Sequence, residues 1–206
     1  MKQRAFTLIE LLIVVAIIAI LAAIAVPNFL EAQVRAKVTR CKADMRTLGV
    51  ALETYRVDWE QYPPDENTGQ RPSVGPDLCE ILCYKRLTTP VAYITTLPTD
   101  PFFMAEGRIP TGTGWTARNI ALYEYSEENY QDGVNAANAA NARVSGVGFI
   151  MNGVGPDRYR DFQWQPPEWL AVGRGDGSFL SRQGRAIGYD PTNGTVSSGD
   201  ILYTTT

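Results

Sequence analysis

The chain contains no histidine among its 206 residues and only three cysteines, Cys41, Cys79 and Cys83. Histidine is the commonest general base near neutral pH and the commonest metal ligand, so its absence takes most triad and zinc chemistries with it. Three thiols are too few, and odd in number, for a disulfide framework. Cys79 and Cys83 stand four residues apart and would share a helix face without bonding. Packed or free thiols and a periplasmic disulfide between two of the three are both compatible with the sequence. Positive charge is also short, at 19 Lys and Arg against 22 Asp and Glu. With no basic stripe to neutralise phosphates, a nucleic-acid partner is not expected.

Charge is scarcest near the N-terminus. Residues Phe6 to Val26 hold fourteen Phe, Leu, Ile or Val side chains, and Glu10 is the one charge among them. At ~1.5 Å per residue such a helix is roughly 31 Å long, which matches a hydrocarbon core of about 30 Å. Lys2 and Arg4 precede the run and favour a cytoplasmic N-terminus, leaving the remainder outside the cytoplasm. A rival reading is a cleaved signal peptide ending at Ala23-Ile24-Ala25, which yields a soluble secreted binding protein starting near Val26. Against it, the apolar run is longer than an ordinary signal core and the helical pattern continues beyond it.

After Pro27, apolar or aromatic residues fall at Leu30, Val34, Val38, Cys41, Met45, Leu48, Leu52, Tyr55 and Trp59. Their mean spacing is about 3.6 residues, the helical period, so one seam is expected to face a core. Glu31, Arg35, Lys37, Arg40, Lys42, Asp44, Arg46 and Glu53 form the expected solvated side. Pro27 removes a backbone donor and is expected to kink or loosen the helix, or simply to mark the membrane edge. The helix from Phe6 to Trp59 would be roughly 80 Å long at ~1.5 Å per residue, too long for one small head to cover.

Glu10 needs its own explanation. Fourteen apolar side chains at roughly −0.3 to −0.6 kcal/mol each outweigh a central charge of about 3 kcal/mol, so insertion neither forbids nor requires it. A carboxylate snorkelling to the surface is the plain alternative to a functional one.

The series Arg4-Ala5-Phe6-Thr7-Leu8-Ile9-Glu10, the apolar run and Pro27 together resemble the cleavage and methylation motif of type IV pilins and type II secretion pseudopilins. The resemblance implies that a prepilin peptidase cuts between Ala5 and Phe6 and that the new Phe6 amine is N-methylated. It also implies that Thr7, Glu10 and Pro27 serve assembly. Family leaders usually end in Gly where this one ends in Ala5, which bears on the efficiency of cutting more than on its place. The expected registration is a pairing of Glu10 on an incoming subunit with the Phe6 amine of one already assembled, which removes two buried charges at once.

The head is expected to be a small antiparallel sheet packed on the amphipathic half of the long helix, an α+β pilin fold. Its expected divisions are a leader at 1–5, a membrane helix at 6–28, an amphipathic continuation at 29–61 and a head at 62–206. A short helix is expected from Asp77 to about Leu87. Strands are expected at Ala121–Ser126, Val147–Asn152, Ala186–Tyr189 and Ile201–Thr204, with a tight turn at Asn193-Gly194 between the last two. The repeat Asn135–Ala142 reads as a surface loop or weak helix within a variable region at 107–148, and Phe162–Trp169 as a partner patch or a loop over the core.

Leu97-Pro98-Thr99-Asp100-Pro101-Phe102, following the turn at Tyr62-Pro63, resembles a segment of the type II secretion major pseudopilin. This tilts the expectation from an adhesive or motility pilin towards a pseudopilin acting in protein export. The same resemblance implies calcium, with Asp157, Asp190 and Asp200 as candidate oxygen ligands; Gly/Asp-rich turns also occur without metal. Implied partners are further copies of the chain, the prepilin peptidase, an inner-membrane assembly platform and minor pseudopilins. The implied location is the inner membrane, then a periplasmic or extracellular filament. An enzymatic head is disfavoured by the missing histidine and the lack of a nucleophile motif.

Overall fold

A computed structural model of the chain describes residues 7–64, 83–103, 122–127, 147–158, 188–190 and 199–205. One helix, α1, runs unbroken from Leu8 to Trp59. Its 52 residues make a rod of roughly 78 Å at ~1.5 Å per residue. Thr7 caps the start with extended backbone, and Glu60 ends the helix in the left-handed conformation at φ 58°. Pro27 lies inside it. The ring leaves the carbonyl of Ala23 without its usual helical donor, yet the helix continues on both sides.

The periodic seam is the core, with a correction at both ends. Val38, Cys41, Met45, Leu48, Leu52 and Tyr55 are buried, and Val34 packs at the margin. Leu30 and Trp59 are instead 53% and 51% exposed: Leu30 lies beyond the described head, while the head touches Trp59 at one point, where the indole N–H donates to the Tyr93 hydroxyl at 3.1 Å, and leaves half of the side chain open.

Three antiparallel strands form one sheet in the order β1-β2-β3: β1 Glu124–Glu127, β2 Phe149–Gly153 and β3 Ile201–Thr204. Met151 sits in register with Tyr125 on one side and Tyr203 on the other. β3 matches its expected bounds, while β1 and β2 start later than Ala121 and Val147. In β2 the reason is visible: the N–H groups of Gly148 and Phe149 donate to the Thr205 hydroxyl at 2.9 and 3.4 Å. The expected strand at Ala186–Tyr189 is reduced, among its described residues, to a single parallel bridge between Gly188 and Asp200. Of the expected helix from Asp77, the described end at Cys83–Lys85 is helical. The Asn193-Gly194 turn, the 135–142 repeat, the Phe162–Trp169 stretch and Cys79 lie outside the described residues.

The sheet is fixed to α1 by close contacts. Gly49 has no side chain, so the Tyr203 ring lies against the helix backbone; a Cβ there would meet ring carbon Cε1 at 2.7 Å. Glycine inside a helix costs about 1 kcal/mol relative to alanine, so the ring contact is a reason to keep it. Tyr123 is fully buried and its hydroxyl donates to Asp44 at 3.2 Å.

Asp100 links three segments of this core. One carboxylate oxygen accepts from the Phe102 N–H at 2.8 Å and faces the Cys41 thiol at 3.7 Å. The other accepts from the Val154 N–H at 2.7 Å. Asp100 thereby joins the helix, its own turn and the end of β2. Burial raises its pKa, while the two backbone donors act in the opposite direction. Cys41 and Cys83 are both buried, and no disulfide joins the two.

Two outcomes follow from this junction. Asp100→Ala strands two buried N–H donors at roughly 1–3 kcal/mol each, so thermal unfolding of the full chain in detergent should show a loss of roughly 2–5 kcal/mol. Burial, with Asp100 second, pushes the Cys41 thiol up to about 12, leaving about one thiolate in ten thousand at pH 8. Cys41 should resist iodoacetamide in the native chain and react in denaturant, as read by mass spectrometry; rapid native labelling would show that the junction is open.

Candidate assembly site

From Leu8 to Leu30 the helix carries aliphatic side chains on every face, and among the described residues none of them is buried. Leu8, Leu12, Ile18, Leu21 and Ile24 are 59–79% exposed. An 18-residue window within α1 has mean hydropathy 3.1 with 0% buried, long and apolar enough to cross a membrane. Burying one such side chain is worth about 1.5–3 kcal/mol. This surface therefore needs lipid or other protein around it.

Glu10 and Thr7, both expected to serve assembly, are in contact with each other. The Thr7 hydroxyl accepts from the Glu10 N–H at 3.3 Å and donates to the Glu10 carboxylate at 2.7 Å. That carboxylate also accepts from the Thr7 N–H at 2.9 Å. This is a reciprocal capping box, which satisfies donors that the start of a helix leaves free. The Thr-x-x-Glu spacing is open to that reading from the sequence alone, and the geometry gives Glu10 a local role beside the expected one in assembly. Pro27 lies near the other end of the exposed run. Ala5 and Phe6 precede the described residues.

The three aspartates proposed for calcium lie on segments that converge beyond β2 and before β3. The turn holding Asp157 is closed by the Arg158 N–H donating to the Gly155 carbonyl at 2.9 Å. A Cβ on Gly155 would run into the Gly199 carbonyl oxygen, so glycine lets the two turns pack backbone to backbone. Tyr189, next to Asp190, donates its N–H to the Asp200 carbonyl at 2.9 Å. Asp200 is fully buried, and its carboxylate accepts from the Asn152 amide nitrogen at 3.2 Å. The Asn152 amide oxygen is buried without a hydrogen-bond partner among the described residues. Nothing in the sequence pattern marked Asn152, because its place depends on β2 pairing with β3. An unpaired amide oxygen beside a buried carboxylate suits a hard, oxygen-binding cation in kind. Among the described residues, however, no three His, Cys, Asp or Glu side chains gather closely enough to hold a metal ion.

Comparison with known proteins bears on this arrangement. Residues 1–26 match the prokaryotic N-terminal methylation motif, and residues 28–106 match the family described as type II secretion system (T2SS), protein G. The chain is 36% identical over 131 residues to the type IV major pilin protein PilA of Myxococcus xanthus, covering 58% of this chain and 60% of that protein. It is 35% identical over 105 residues to the type II secretion system core protein G of Klebsiella michiganensis, covering 49% of this chain and 69% of that protein. The core protein G of Escherichia coli K12 is 32% identical over 105 residues, covering 68% of its length. The match thus spans under two thirds of the Myxococcus pilin and just over two thirds of these two secretion proteins. No solved structure matches.

The match of residues 1–26 to the N-terminal methylation motif counts against the signal-peptide alternative. A membrane-anchoring apolar helix, an antiparallel head docked on its amphipathic half and these two matches lead to one conclusion: the chain belongs to the type II secretion system protein G family, whose members are structural, filament-forming pilin-like subunits and not enzymes.

Proposed function

We propose that the chain is inserted in the inner membrane with its N-terminus cytoplasmic, cut between Ala5 and Phe6 by a prepilin peptidase, N-methylated on Phe6, and assembled into a pseudopilus that acts in protein export. The observation that carries this reading is the bare helix from Leu8 to Leu30, whose aliphatic side chains no described part of the chain covers. In the membrane, lipid covers them; in a filament, other copies do. Cleavage creates a cationic amine at a helix start, where the backbone dipole is also positive, and both need an anion in a low-dielectric setting. Glu10 supplies it from a neighbouring copy. An inner-membrane assembly platform and minor pseudopilins complete the proposed set of partners.

A second reading, a surface pilus for adhesion or motility, is favoured by one observation: the similarity to the Myxococcus pilin extends over 131 residues, against 105 for the Klebsiella secretion protein. A deletion strain separates the two, since export of secreted proteins fails under the first and surface piliation under the second.

Calcium remains part of the proposal, with Asp200 and the Asn152 amide oxygen as the donors best placed for it and Asp157 and Asp190 on adjoining turns. A bound ion would supply charge for the buried carboxylate and tie the segments together. The melting temperature of the head should then rise with calcium and fall with chelator, by several degrees; no shift in either direction would remove the ion from the account.

The capping box allows a sharp test of Glu10. Glutamine keeps a capping box but carries no charge, so Glu10→Gln preserves the local geometry and removes only the proposed pairing. The variant should insert and be cleaved like the parent, while its filaments fall at least tenfold by electron microscopy. Normal filaments would reduce Glu10 to a capping residue.

A further inference from the structure

Charge is divided unevenly between the stalk and the head. Residues 31–46 carry five basic side chains, Arg35, Lys37, Arg40, Lys42 and Arg46, against Glu31 and Asp44, a net charge of +3. Residues 47–206 carry 12 basic against 19 acidic side chains, a net charge of −7. The basic excess thus falls on the part of α1 just beyond its bare apolar half, and all five basic side chains are exposed.

Neither folding nor insertion accounts for these charges. Arg35 pairs with Glu31, and Arg40 with Asp44 at 3.5 Å, but the two arginines stay 67% and 61% exposed in these i,i+4 pairs, which are of a kind that contributes little. The Lys37 ammonium lies 5.8 Å from the centre of the Phe102 ring, and Lys42 has no ion pair among the described residues. In the proposed orientation all of them stand outside the cytoplasm, whereas lysine and arginine set orientation from the cytoplasmic side.

Their height and direction point to a ligand. At ~1.5 Å per residue, Arg35, Lys37, Arg40 and Lys42 stand about 8, 11, 15 and 18 Å above Leu30. The headgroup layer beyond the hydrocarbon is roughly 5–8 Å thick, and its surface charge acts about 8 Å further at physiological ionic strength. Side chains on an α-helix lean towards its N-terminus, which in this subunit means towards the membrane, and long basic side chains extend along that direction to reach polar groups. Arg35 and Lys37 therefore reach the headgroups, and Arg40 and Lys42 the field above them; Arg46, about 24 Å up, stands beyond both. At about 100° per residue, Arg35 and Lys42 fall on one flank of the buried seam and Lys37 and Arg40 on the other. The four make a collar around the helix, with no continuous stripe along it.

We infer that Arg35, Lys37, Arg40 and Lys42 form a binding collar for the phosphates of anionic phospholipids in the membrane that holds the subunit. Charge complementarity and continuity with the membrane-spanning run both select that surface, since the collar borders the lipid directly. The inference rests on the membrane-inserted reading and extends it: the collar fixes the depth of the waiting subunit and gives it a preference among lipids.

The test uses the full-length chain in detergent micelles doped with equal amounts of phosphatidylglycerol and phosphatidylcholine, read by native mass spectrometry. The chain should retain phosphatidylglycerol over phosphatidylcholine by about fivefold or more. Glutamine at all four collar positions should bring the ratio near one while the melting of the head stays unchanged, because all four are exposed. The charge-conserving set Arg35→Lys, Lys37→Arg, Arg40→Lys and Lys42→Arg should keep the preference, as should Lys85→Gln with Arg86→Gln on the head. Equal retention of the two lipids by the parent chain would overturn this inference alone. So would a preference that survives the four glutamines; if filaments are lost in that variant, the collar serves the acidic head of another copy instead. A parent chain released from membranes by alkaline carbonate would remove the membrane reading and this inference with it.

Discussion

The whole architecture depends on an apolar surface that the chain cannot cover by itself. A helix of 52 residues is roughly 78 Å long, while the seam buried beneath the head runs only from Val38 to Tyr55. The remaining lower half is hydrophobic all round, and such a helix is stable in lipid or inside a bundle and not in water. Membrane anchoring and filament assembly are two ways of meeting one constraint. A subunit can pass from the first environment to the second without exposing that surface to water at any stage.

The head meets the complementary requirement of holding the solvated half of the helix in a defined orientation. It does so with few groups that join distant parts of the chain. Asp100 connects Cys41 on α1, its own turn at Phe102 and Val154 beyond β2. Tyr203 rests on Gly49, and Tyr123 reaches Asp44. Because these contacts all lie on one side of α1, the opposite side is left for neighbours. Rigid docking of the head on one face is what gives the other face a fixed direction in a filament.

Much of the stalk was legible in the sequence because helical periodicity and hydropathy are local properties. The spacing predicted burial at Val38, Cys41, Met45, Leu48, Leu52 and Tyr55 and missed Gly49 and Ala51, which are buried beside them. It failed at Leu30, which lies beyond the described head, and at Trp59, which the head touches at Tyr93 but leaves half exposed; neither outcome is set by spacing. Ile201–Thr204 was legible from its β-branched and aromatic content, whereas of Ala186–Tyr189 the described residues show one parallel bridge, from Gly188 to Asp200. The Leu-Pro-x-Asp-Pro segment was noticed as a motif, but the role of Asp100 emerges only when residues 41, 102 and 154 come together. Asn152 was invisible for the same reason.

Glu10 illustrates how local and intermolecular roles can share one side chain. Its capping contacts with Thr7 hold the carboxylate at the helix start, close to where processing at Phe6 would place a new amine. The place of the cut therefore decides whether the charge chemistry proposed for assembly exists at all. N-terminal sequencing with mass measurement of the mature protein, purified from membranes, tests this most directly. The account predicts a chain beginning at a methylated Phe6 with α1 intact; a mature chain beginning at Val26, stripped of the apolar half of the helix, would contradict it.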